Sequence, residues 1–204
     1  CSSDLVDAWL THYAVDVGAG TLAVRDSILM PAKVQYAWRH PKARILYVAT
    51  SSGGPGVKSE HNHVSALAIA PDGSLQPHGA SRTLPRRAVH LCVDPAGRYV
   101  FSAHNFGGGG MTVHRIAPDS ALGAAVPQDG GLEWGNYPHQ VMPFPSGDRM
   151  LIVDRGVNAK TDAPELPGAL RSFGLEGGKL LPGQVFAPGG GFRSEEHTSE
   201  LQSP

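Results

Sequence analysis

Three stretches of this chain repeat one another, each a proline-led turn running into an apolar segment: Pro41-Lys42-Ala43-Arg44 before residues 45–49, Pro95-Ala96-Gly97-Arg98 before 99–103, and Pro145-Ser146-Gly147-Asp148-Arg149 before 150–153. Their starts lie 54 and 50 residues apart, too long a period for helical solenoid repeats and close to that of propeller blades. A second echo keeps the same phase. Ala70-Pro71-Asp72-Gly73-Ser74-Leu75 recurs as Ala117-Pro118-Asp119-Ser120-Ala121-Leu122 and, more loosely, across residues 174–180. Runs such as Val64-Ser65-Ala66-Leu67-Ala68-Ile69 and Met111-Thr112-Val113-His114-Arg115-Ile116 precede these turns. Their alternation suits half-buried strands, and Asp, Gly and Ser supply the tight hairpins.

Each repeat therefore predicts four strands: one before the proline turn, one after it, one before the Asp-Gly turn and one after that. Four-stranded antiparallel blades stacked around an axis make a β-propeller. The expectation is an all-β propeller with blades at 34–88, 89–138 and 139–192 and a partial blade at 5–33, since residues 13–22 align with the second half of the next unit. No Pro/Ser linker separates the units, so they read as one incomplete domain.

Composition agrees with that reading. Hydrophobic residues at 41% argue against disorder, and 26 Gly with 17 Pro suit many short strands joined by turns. A formal charge of −1 supplies no basic field for nucleic acid or a membrane surface. No run approaches the roughly 20 apolar residues of a membrane span. Cys92, in Val89-His90-Leu91-Cys92-Val93, reads as a small buried strand residue. Cys1-Ser2-Ser3 has the look of a lipidated mature terminus but no preceding cleavage segment, so a cytoplasmic location is the default. Residues 193–204 lack strand alternation, break the repeat in mid-blade and resemble a translated sequencing adapter; they are set aside as a non-native tail.

Several segments together resemble the β-propeller lactonase family, which includes bacterial 6-phosphogluconolactonases and fungal carboxy-muconate cyclases. They are the proline-led openings, Ala103-His104-Asn105-Phe106-Gly107-Gly108, Tyr137-Pro138-His139-Gln140, and Asp154-Arg155-Gly156-Val157-Asn158. In the last, Arg155 and Asn158 replace residues of an Asp-Leu-Gly-x-Asp pattern. The resemblance spans residues 12–192 and implies a seven-bladed ring, of which about three and a half blades are here. It also implies a Gly-Pro-Arg-His motif after Phe192 and a glutamate and arginine in later blades, none of which this chain carries. Residues 1–204 alone are thus expected to expose open blade faces and edges, to aggregate or remain an open arc, and to lack activity.

Opening a lactone requires a base to activate water and a donor to steady the oxyanion. In a propeller such groups belong at the loops that begin or leave the innermost strands. His139, matching the family's Pro-His position, is the candidate base or substrate contact. Arg155, able to grip a carboxylate or phosphate with its fork, is the second catalytic candidate; a solvated rim charge is its alternative. His90, 49 residues before His139, is a candidate substrate contact with a packing role as its alternative. Asn105 and Asn158 are candidate amide donors to lactone oxygens, or else turn residues. His61-Asn62-His63 suggests a metal only weakly, because stable sites take about three or four ligands. Gly107-Gly108-Gly109-Gly110 runs into a strand rather than a helix, so it reads as a turn and not a phosphate cradle.

The resemblance implies hydrolysis of a sugar-acid lactone such as 6-phosphogluconolactone. A carboxy-muconate-type cycloisomerase running the same site toward ring closure, and a non-enzymatic binding propeller, are the alternatives. No cofactor or metal is assigned. The expected partner is a small-molecule lactone, without nucleic acid or membrane, and the full-length protein is expected to be a monomer.

Overall fold

A computed structural model describes residues 8–54, 57–105, 109–159 and 161–187. The readings at Cys1, at Phe106 to Gly108, around Phe192 and at 193–204 lie outside them. Among the described residues the regular structure is β throughout. A hairpin of β1 (Ala8–Asp16) and β2 (Thr21–Met30) comes first. Blade I follows as β3 (Lys33–Arg39), β4 (Ile45–Ser51), β5 (Asn62–Ile69), β6 (Leu75–Pro77) and β7 (Arg82–Thr83). Blade II is β8 (Ala88–Val93), β9 (Tyr99–His104), β10 (Gly110–Ile116) and β11 (Leu122–Ala125). Blade III is β12 (Pro138–Pro143), β13 (Arg149–Asp154), β14 (Ala169–Glu176) and β15 (Lys179–Phe186).

Every sheet is antiparallel and meanders in sequence order, with one departure from the expected four strands. In blade I the outer strand is split, so that β6 and β7 both pair with β5. The break falls at residues 78–81, where His78 Nε2 leaves the sheet and donates to the Asp119 carbonyl of blade II at 2.7 Å.

Side chains close the repeating turns. Before the proline of blade II, Asp94 accepts from the Tyr99 amide at 2.8 Å and from the Arg98 side-chain Nε at 2.9 Å. In blade I, His40 Nδ1 takes that role, accepting from the amides of Lys42 (3.0 Å) and Ala43 (2.8 Å). In the Asp-Gly hairpin of blade I, Asp72 accepts from Ser74 N at 3.0 Å while Gly73 adopts φ +88°. Blade II has Ser120 at the equivalent place, with φ +68°. A Cβ is strained there. Ser120→Gly is therefore expected to raise stability by about 0.5–1 kcal/mol, net of glycine's entropy in the unfolded chain, as read by urea denaturation. The Tyr47 hydroxyl, which donates to the Ser120 carbonyl at 2.8 Å, keeps its partner in that variant.

Three apolar layers hold the sheets together. Met30, Val48 and Leu67 join the hairpin to blade I; Tyr47, Val64, Leu91 and Val100 join blades I and II; Phe101, Val113, Val141, Ile152 and Phe173 join blades II and III. The first strand of blade II, β8, packs beside both β3 and β12, so the sheets share a hub lined by their innermost strands. Cys92 is buried in the layer between blades II and III, where burial and then Asp94 push its thiol pKa upward. At the two ends of the arc, Trp9, Val15 and Val24 of the hairpin and Val185 and Phe186 of β15 are exposed.

The inner strands share a further device. Each carries a bulge at its start: register slips between Val34 and Tyr36, between Ala88 and His90, and between Pro138 and Gln140. The extra residues are Gln35, Val89 and His139. This corrects the expected equivalence of His90 and His139. His139 matches Val89, and His90 matches Gln140 and Tyr36, because the blades are offset by the 50 residues that separate the proline turns.

Candidate functional site

The starts of β3, β8 and β12 and the ends of β4, β9 and β13 lie at one end of the hub. Two sets of repeat-related residues meet there. The bulges present Gln35, Val89 and His139, and the residues leaving the second strands are Ser51, Asn105 and Arg155. A bulge re-aims its side chain out of the regular alternation, and His139 is half-buried at this rim.

His139 belongs to a layered group. Its ring lies nearly parallel to that of Tyr137, with centroids 6.0 Å apart and planes at 20°. The Arg155 guanidinium sits 4.6 Å from the Tyr137 centroid. Arg155 N donates to the Tyr137 carbonyl at 3.0 Å, so the two segments also join through their backbones. Beneath them Asp154 is fully buried. Its carboxylate accepts from the amides of Asn136 (2.9 Å), Tyr137 (2.8 Å) and Gly156 (3.0 Å), and Arg171 Nε lies 3.6 Å away. Gly135, at φ +93°, leaves no room for a Cβ against this carboxylate. One aspartate thus fixes both the segment leading into β12 and the segment leaving β13.

The other predicted residues are placed differently. His90 is buried at 4% exposure between blades. Its ring centroid is 4.2 Å from that of Tyr36 and 5.9 Å from that of Trp38, and Val141 N donates to its Nδ1 at 3.4 Å. Burial first, and the nearby charge of His139 second, pull its pKa down to about 4. It is neutral at pH 7, with its proton on a buried Nε2 that has no hydrogen-bond partner among the described residues. This is the geometry of its packing alternative. Asn105 is buried at the end of β9, while Asn158 is exposed just beyond the Val157–Leu166 bridge.

Residues missed by the sequence reading complete the rim. Arg87 Nε donates to Gln35 Oε1 at 2.7 Å across blades I and II. Tyr137 and Asp154 stood inside the quoted motifs, yet neither was assigned a role. Asp154 occupies the place of Thr50 and His104, the residue opposite the start of each inner strand. On β5, Asn62 of the His61-Asn62-His63 run accepts from the Ser51 hydroxyl at 2.8 Å. Among the described residues no three His, Cys, Asp or Glu side chains group as metal ligands. A cavity of about 320 Å³ opens at the same end of the hub between blades II and III, bordered by Arg86, His104, Gly109 and Trp134. Another, of about 470 Å³, lies at the opposite end among His40, Arg98, Tyr99 and Arg115, far from the candidate base.

Residues 7–159 match the family described as lactonase, 7-bladed beta-propeller. A 6-phosphogluconolactonase of Serratia proteamaculans is 32% identical over 134 residues, which is 66% of this chain and 37% of that protein. Among solved structures, a Bacteroides uniformis protein provisionally described as a 6-phosphogluconolactonase has a TM-score of 0.60 at 20% identity, covering 87% of this chain and 49% of that one. The periplasmic gluconolactonase PpgL of Pseudomonas aeruginosa has a TM-score of 0.54 at 19% identity, covering 89% and 65%. Identities this low establish the propeller fold alone. The chain spans between 31% and 37% of the length of the curated relatives it matches.

Proposed function

Because the chain belongs to the seven-bladed β-propeller lactonase family, we propose that this protein hydrolyses a sugar-acid lactone, such as 6-phosphogluconolactone, at the bulged end of its hub. His139 is the general base. Its imidazole takes a proton from water as the water oxygen bonds to the lactone carbonyl carbon. Arg155 faces the resulting tetrahedral oxyanion as a donor, where fixed positive charge is worth most in a partly dried site. Collapse breaks the bond to the ring oxygen, which leaves as an alkoxide and takes back the proton from His139. The product is the open hydroxy acid. Asn105 and Asn158 are proposed to contact the substrate hydroxyls, and His90 to support the site from within the blade interface.

The observation that carries this reading is the bulge that takes His139 out of the strand alternation and sets it in one group with Tyr137 and Arg155. No helix among the described residues is long and apolar enough to cross a membrane. A cytoplasmic, monomeric enzyme is the proposed setting. The test is lactone hydrolysis by the protein at its full natural length. His139→Ala is expected to lose at least the roughly 10²-fold in kcat that general-base catalysis supplies. An unchanged kcat/KM in that variant would remove His139 from the reaction.

A further inference from the structure

We infer that Tyr137 is the positioning residue of this site, its ring setting the geometry between the His139 imidazole and the Arg155 guanidinium; this rests on the reading of those two as the reacting pair. The ring is the shared neighbour of both: the imidazole lies nearly parallel to it at 6.0 Å and the guanidinium 4.6 Å from its centroid. Little freedom is left to Tyr137 itself. Its amide is bound by Asp154 at 2.8 Å and its carbonyl by Arg155 N at 3.0 Å. The proline that follows confines residue 137 to extended backbone and fixes φ at 138.

Such a residue matters to catalysis without touching the reacting atoms. A guanidinium held by an aromatic face is attracted to the ring quadrupole and loses side-chain freedom before substrate arrives. The ring also lies beside the imidazolium that His139 becomes on taking a proton, so it acts on the base as well as the oxyanion donor. The phenol hydroxyl has no part in either effect. What the site needs at 137 is the aromatic surface.

The experiment compares Tyr137→Phe and Tyr137→Leu in the full-length protein, with His139→Ala and Arg155→Ala as references. Tyr137→Phe is expected to keep kcat and its pH profile. Tyr137→Leu is expected to lose roughly 3- to 30-fold in kcat, the cation–π range expressed as a rate, and to displace the pH at which the base titrates. A loss of activity in Tyr137→Phe would overturn the proposal, and so would a Tyr137→Leu variant with wild-type kcat and pH profile while both reference variants are impaired. Fully active His139→Ala and Arg155→Ala would instead overturn the catalytic reading beneath it, and the positioning role with it.

Discussion

Acidification from pH 7 to pH 4 is expected to remove most of the protein's stability, and the largest part of the loss traces to blade II. His90, His104 and His114 sit on its first, second and third strands, all buried. Each has its pKa pulled from 6.5 to about 4, with burial as the main cause; Arg86 adds to it at His104 and Arg82 at His114. His104 is neutral in its hydrogen bonds: Nδ1 donates to the Arg87 carbonyl at 3.3 Å and Nε2 lies 2.7 Å from the Thr112 hydroxyl. The unfolded chain binds protons at these sites from about pH 6.5 downward, and the folded one only near pH 4. Between those values stability therefore rises with pH, and it falls as pH drops. A depression of this size corresponds to about 3 kcal/mol for each imidazole once the whole window is crossed, against a total of about 5–15 kcal/mol for a typical domain. Equilibrium denaturation in pH steps measures it. His114 Nδ1 has no hydrogen-bond partner among the described residues, so His114→Leu should flatten the dependence by about one proton without weakening the fold at pH 7. Stability that stays level from pH 7 to pH 4.5 would show that these rings are not held neutral.

Asp154→Ala is expected to cost about 3–5 kcal/mol, the range for stripping one partner from a buried ionic pair. Three backbone amides and the Arg171 side chain, itself only 14% exposed, converge on that carboxylate. Removing it releases the lead-in to β12 together with the segment after β13, so activity should fall with stability. Glu133 provides the control. It stands 3.9 Å from Arg171 Nη1 at 86% side-chain exposure, and Glu133→Gln should change stability by no more than about 0.5 kcal/mol. Parallel melts of the two variants settle the comparison; equal midpoints would refute the clamp.

The blades were legible because their turns are chemically distinctive and recur. Pro95-Ala96-Gly97 and Pro145-Ser146-Gly147 mark the same bend, and the inner strands begin at Lys33, Ala88 and Pro138, one residue from the expected starts. The bulges were not legible. A bulge inserts one unpaired residue into a strand without changing the kind of residue found there, and Gln35, Val89 and His139 share no chemistry. His90 looked like a repeat of His139 because their spacing of 49 residues falls one short of the 50 that separate the proline turns. Asp154 was hidden for another reason: its bonds run to backbone amides at residues 136, 137 and 156, and amides have no identity in a sequence. Asn105 and Arg155 were chosen separately, yet they occupy one structural position in successive blades. Three aligned repeats would have revealed it.

The bulges at Gln35, Val89 and His139 make the hub a set of interchangeable sockets: one backbone shape cast three times, each holding a different side chain. Chemistry in such a ring can migrate from wedge to wedge by single substitutions, with no change of scaffold. A histidine installed at residue 89 would stand to blade II as His139 stands to blade III.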